Sequence, residues 1–189
     1  TTGTRNTAVG TFSLATEDAN GNNTAVGYAA LNTLNAGAEG NNVAVGFSAG
    51  KLMTTGTHNS LLGFDSGAAI TTGSSNAIMG ASAGDALTTG SQNVMIGERS
   101  GSTQTTASYN TSLGQNSLFT NVAGSSNTAI GQGALQTMTS ASEANMFNTA
   151  LGNSAGSAVT SGVNNTLLGA AAGNAITTGD NNIIIGKDA

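Results

Sequence analysis

Asn76-Ala77-Ile78-Met79-Gly80 is one copy of a five-residue stretch that occurs eleven times, from residues 6–10 to residues 182–186. The other copies begin at Asn23, Asn42, Asn59, Asn93, Asn110, Asn127, Asn148 and Asn165. Every copy starts with Asn, ends with Gly, and puts Val, Leu, Ile or Met just before that Gly. Successive terminal glycines are 17 residues apart in eight of ten intervals; the others are 19 (Gly27 to Gly46) and 21 (Gly131 to Gly152). A fixed period of this size marks a solenoid or array, in which stacked units share one core. No linker interrupts it, so residues 1–189 read as a single repeat array. Because the chain starts and stops inside the repeat, it is expected to be a fragment of a longer one.

The five residues read as a strand, being aliphatic or β-branched and bounded by Asn and Gly turn signals. Side chains alternate between faces along a strand, so the third and fourth residues point opposite ways. The fourth is a large aliphatic in every copy and is assigned to the coil interior. The third is mostly apolar as well, with Leu61, Ile78, Met95, Leu167 and Ile184 the large examples. A strand apolar on both faces is buried on both. One thin coil has a single interior, so those five residues become the candidate oligomer face. The alternative is that the small Ala and Ser at this position simply tolerate solvent.

Counting on from each terminal glycine, the third residue is always small and the seventh usually aliphatic, with Glu17, Gln104 and Asn121 the exceptions. The fourth and sixth vary together, Leu with Thr (Leu31, Thr33) or Gly with Ala or Leu (Gly67, Ala69), Thr103 excepted, as in volume compensation within a packed layer. A second glycine stands ten residues on in most copies, often after a Thr pair. Spacing alone would allow a helical turn here, but strands stack every ~4.8 Å and helices pack at about 8–10 Å. The expected fold is all-β: a parallel β-solenoid, or β-roll, of about 11 coils with a 17-residue period. Its corner after each strand is either a plain tight turn or a short helical turn.

The eleven asparagines, Asn6, Asn23, Asn42, Asn59, Asn76, Asn93, Asn110, Asn127, Asn148, Asn165 and Asn182, are expected to stack as a structural ladder. Their amides can bond both turn backbone and one another. The glycines are expected at corners of positive φ. The Thr pairs would form a hydroxyl and methyl array of the kind some ice-binding solenoids use. Tyr28, Phe47 and Phe64 follow the strand glycine in three successive coils and should stack as an aromatic file, either self-packed or open to a sugar. The two longer intervals add Ala36–Gly40 and 139–147, so Glu39, Glu143, Met146 and Phe147 are candidate contact-loop residues, since repeat insertions map to loops on one face.

Several functions find no support. Four Lys and Arg cannot supply a phosphate-tracking patch, so nucleic acid is not an expected partner. No apolar run is long enough for a membrane helix. With no cysteine and one histidine, neither a metal site nor a cofactor is expected, and no Ser-His-Asp set can be nominated, so the chain is not read as an enzyme. Absent proline suits a strand paired on both sides. A charged fraction of 7% leaves Asn, Ser, Thr and Gly to cover the surface.

The phrase Asn-x-Ala-Val-Gly-x-x-Ala, at residues 23–30 and 42–49, resembles the head repeat of trimeric autotransporter adhesins. The longer period here is more similar to repeats of phage tail fibres and bacterial surface proteins, which often precede an intramolecular chaperone domain. The resemblance implies a homotrimer outside the cell, a fibre or shaft segment that supports attachment to a host or surface through a receptor or glycan. The alternative is an ice- or glycan-binding solenoid using its Thr or aromatic ladders.

Overall fold

The computed structural model describes residues 3–17, 21–35, 37, 39–140 and 144–189. The middle of each five-residue copy forms a strand: β1 (Thr7–Val9), β2 (Thr24–Val26), β3 (Val43–Val45), β4 (Ser60–Leu62), β5 (Ala77–Met79), β6 (Val94–Ile96), β7 (Thr111–Leu113), β8 (Thr128–Ile130), β9 (Thr149–Leu151), β10 (Thr166–Leu168) and β11 (Ile183–Ile185). These make one 11-stranded parallel sheet in chain order. Each residue pairs with its counterpart, Leu61 with Ile78 and Ile78 with Met95. The longer intervals leave the register intact, for Ala25 pairs with Ala44 and Ala129 with Ala150. The chain is an all-β, parallel β-solenoid.

The corner after each strand is two successive tight turns, and no helix occurs among the described residues. In the coil of β4, Ser66 N donates to Gly63 O at 3.4 Å and Ile70 N donates to Gly67 O at 3.1 Å. Asp65 (φ 51°) and Gly67 (φ 56°) are both left-handed, which ends any helical run. The same conformation turns backbone groups along the solenoid axis. Gly67 N donates to Ala83 O at 3.0 Å and Asp65 N donates to Phe47 O at 2.9 Å. Corners therefore stack at the strand spacing.

Glycine placement follows two different constraints. The strand glycines take positive φ, Gly63 at 138°, and a Cβ there would lie 2.6 Å from Gly80 O. The second glycines mostly do not take positive φ, contrary to expectation. What excludes a side chain at Gly56 is the next coil, since its Cβ would lie 2.5 Å from Gly73 O. The left-handed residue nearby is instead the one before each Asn, such as His58 (φ 60°), Ser75 (φ 60°) and Gln92 (φ 59°).

The two faces of the sheet are the reverse of those expected. Leu61, Ile78, Met95 and Leu167 are buried inside the coil, and Ile184 is half-buried in the last one, so this row is core and not an oligomer face. The fourth residues, Val9, Leu62, Met79, Leu151 and Ile185 among them, are exposed. The reason is an exchange of volume across the interior. Where the third strand residue is Ala or Ser, the fourth residue after the glycine is Leu in four of six coils, as in Ala25 with Leu31 and Ser112 with Leu118. Where it is Leu, Ile or Met, that residue is Gly, as in Leu61 with Gly67 and Met95 with Gly101.

These two positions meet: a Cβ on Gly84 would lie 3.0 Å from Ile78 Cδ1, and one on Gly173 would lie 2.7 Å from Leu167 Cδ2. Two coils, with Ala44 and Gly50 or Ala150 and Gly156, carry a small residue at both positions. Leucines from the coils on either side fill the gap, since a Cβ on Gly50 would meet Leu61 Cδ1 at 2.8 Å and Leu31 Cδ2 at 2.9 Å. The expected partner of this exchange, the sixth residue, lies elsewhere. Thr33 there donates through Oγ1 to Lys51 O and Met53 O, both at 3.0 Å.

Between Met95 and Leu118 the interior turns polar and divides the aliphatic core into two clusters. Ser100 Oγ lies 2.7 Å from Ser112 Oγ and 3.1 Å from Ser117 Oγ. Gln104 is buried, its Oε1 accepting from Asn110 Nδ2 at 3.2 Å and its Nε2 unpaired. Asn121 and Glu17, at the same place in their coils, are buried too.

Candidate functional site: the outer strand face

The second and fourth strand residues point outward and form two rows along the whole solenoid. Neither row contains a charged residue in any of the eleven coils. The fourth-residue row is Val, Leu, Ile or Met throughout. The second-residue row is lower, with Thr in six coils and its smallest members at Ser60 and Ala77. Their small side chains open an apolar notch of about 260 Å³, floored by Leu61 and Ile78 and walled by Val43, Val45, Leu62, Met79 and Ile96. An apolar, uncharged strip of this length on a chain otherwise coated in hydroxyls and amides has the character of a contact surface.

Behind that face runs the asparagine ladder. Asn76 Nδ2 donates to Asn59 Oδ1 at 3.0 Å and to Gly90 O at 3.0 Å. Asn76 Oδ1 in turn accepts from Asn93 N at 3.0 Å and Asn93 Nδ2 at 3.1 Å. The second glycine's carbonyl thus receives the amide, which ties the Asn of a repeat to that repeat's second glycine. The row is buried from Asn23 to Asn165 and half-buried at Asn6 and Asn182, so solvent does not reach its middle. It holds the strand in place rather than presenting itself to a ligand.

The other candidate features separate by position. Tyr28 and Phe47 stack at 5.1 Å, Phe47 and Phe64 at 5.4 Å, and Phe12 meets Tyr28 edge-on at 5.7 Å. Inside this file the ring faces are occupied by one another, leaving edges to solvent. In the Thr pairs the first hydroxyl is engaged: Thr54, Thr71 and Thr88 donate to the carbonyls of Thr71, Thr88 and Thr105. Of the contact-loop residues, Glu39 is exposed beside Arg5 (3.6 Å) and Phe147 is exposed. Met146 is not: it is buried in the second core cluster, and Glu143 lies outside the described residues.

A shallow cleft of about 420 Å³ near the aromatic file is lined by Phe47, Ser48, Lys51, Asp65 and Asp85 among others. Burial pushes the Asp85 carboxyl above its ordinary range. Among the described residues no group of three His, Asp or Glu could hold a metal ion, and no helix is long and apolar enough to cross a membrane. Comparison of the chain with protein families, with curated proteins and with solved structures returned no significant match.

Sequence reasoning missed the outer row as a surface. The exchange between the third strand residue and the fourth after the glycine is a hint in the residues, held in eight of ten coils, but that the two positions meet in one interior is seen only in the closed coil.

Proposed function

We propose that the chain is a structural fibre segment, part of the shaft of a phage tail fibre or bacterial surface adhesin, assembled as a homotrimer outside the cell. The single observation that carries this reading is the charge-free outer strand face running through all eleven coils. Its fourth-residue row, most of it about half exposed, offers on the order of 800 Å² of apolar surface, comparable to one partner's share of a stable protein interface. A monomer rarely leaves a strip of that size bare. Eleven rungs at ~4.8 Å make a rod about 50 Å long, whose continuous backbone pairing suits a spacer that holds an attachment tip away from its base. Receptor or glycan contact then falls to exposed decorations such as the aromatic file, Glu39 and Phe147.

Light scattering on the isolated chain is expected to give three times the chain mass at micromolar concentration. Leu62→Glu together with Leu113→Glu, both on the outer row, is expected to give a folded monomer. A wild-type monomer at that concentration would sink the proposal.

A further inference from the structure

We propose that the cleft beside the aromatic file is a binding site for a small zwitterion, its anionic end at Lys51 and its ammonium at Asp65 and Asp85. The inference is independent of the assembly proposed above. The cleft opens on the corner after the strands, and none of its lining residues belongs to the outer rows.

The hollow exists because two columns become small in one coil. The fifth residue after the strand glycine is Lys51, Ala68 and Asp85 in three successive coils, and the sixth is Leu52, Ala69 and Ala86. Ala68 therefore leaves a gap with a cation on one side along the axis and a carboxylate on the other. The two stand two rungs apart, on the order of 10 Å. Leu52, Ala68 and Ala69 give the gap an apolar floor. Asp65 lines it from the middle coil, close enough to Asp85 for the two charges to repel.

In a chain with four Lys and Arg and nine Asp and Glu, one cation and two carboxylates converge here. They do not pair with one another, for the ion pairs among the described residues join Arg5 to Glu39 and Lys187 to Asp188. One oxygen of Asp85, Oδ1, is buried and meets no donor. A cation at the open side of that carboxylate would offset the cost of its burial.

Phe47 adds to the polarity of the cleft. Its ring faces are taken by Tyr28 and Phe64, so it borders the cleft with its edge. An aromatic edge carries the positive part of the ring quadrupole and favours an anion. Phe47 and Lys51 share a coil, so both mark the same end of the hollow as the anionic one. A neutral ligand makes no use of this separation of charge, and a simple ion is held at one end only.

Ligand-observed NMR titration with aminohexanoate, an unbranched zwitterion with widely separated ends, tests the match. It is expected to bind, with glycine, hexylamine and hexanoate each about tenfold weaker for the loss of one charge-assisted contact. In Lys51→Met, aminohexanoate should bind no better than hexylamine. In Asp65→Asn combined with Asp85→Asn, it should bind no better than hexanoate. Ala68→Gln gives this coil the residue that Gln136 supplies at the same position of another, and should abolish binding with the circular dichroism of wild type. Equal binding of aminohexanoate and its singly charged relatives, unchanged binding in Ala68→Gln, or no binding to wild type would each overturn the site. The fibre reading is tested separately by light scattering and does not fall with it.

Discussion

Leu61 and Leu62 are adjacent on one strand and chemically identical, yet Leu61 is 1% exposed and Leu62 is 45% exposed. Leu61 reaches across the coil toward Gly67, whose missing side chain leaves room for it: a Cβ on Gly67 would lie 3.1 Å from Leu61 Cδ2. Leu62 faces away from the interior on the opposite side of the sheet.

That pairing predicts a rescue. Leu61→Ala should destabilise the chain by about 2–5 kcal/mol through the cavity it leaves. Gly67→Leu alone should cost about 1–3 kcal/mol by overpacking. The double variant reproduces the Ala25 and Leu31 arrangement of another coil, where Leu31 already takes φ 48°. It should therefore be more stable than Leu61→Ala. Urea unfolding of the four species, read as a double-mutant cycle, checks this; strict additivity would refute the volume exchange.

The ladder makes a second prediction. Asn76→Ala removes two donated and two accepted bonds in a buried site. It strands the Gly90 carbonyl and the Asn93 amide N–H, so a loss of at least about 3 kcal/mol is expected. Asn182→Ala, at the half-buried end of the row, should cost less. Equal losses at the two sites would show that the ladder is not the source of the stability.

The polar break in the core should be improvable. Gln104 buries an unpaired Nε2 where other coils carry Met53 or Met138. Gln104→Met keeps the length of the side chain and removes the stranded donor, and Asn110 Nδ2 retains Gly124 O at 2.9 Å. The variant should gain about 1 kcal/mol, measured as a higher urea midpoint. A lower midpoint would mean that the polar layer stabilises these coils.

Asp85 sets a pH dependence. Its carboxyl is raised above the ordinary 3.8, chiefly by burial, with Asp65 adding to the rise and its own backbone N–H and Arg99 opposing it. The folded chain therefore holds this proton at pH values where the unfolded chain has released it. Its contribution is fully present below the unfolded pKa and is lost as pH rises through the folded one. Melting temperature measured upward from below pH 3.8 should fall in wild type relative to Asp85→Asn. Parallel profiles for the two proteins would refute the assignment.

Much of the fold was legible in the residues. The 17-residue interval, the Asn and Gly bounds and the aliphatic centre predict a parallel stack of short strands within the five-residue stretch, and the structure narrows each strand to its middle three residues. At the corner the rung spacing argues against full helices but admits a short helical turn, and the structure has two successive tight turns there. The two long intervals also declared themselves, and they leave the sheet register untouched.

What the residues alone did not settle was which side of the strand is inside. Alternation assigns the third and fourth residues to opposite faces but does not say which face is which, and an always-large row looks like core by composition. Only the closed coil decides it, because burial depends on what lies across the interior, and Gly67, Gly84 and Gly101 leave space that Leu61, Ile78 and Met95 occupy. The sequence by itself determined the period, the strand and the ladder, which are local and repetitive. The tertiary structure decided that the uniform aliphatic row is surface, since packing across a coil is a relation between residues that no single strand contains.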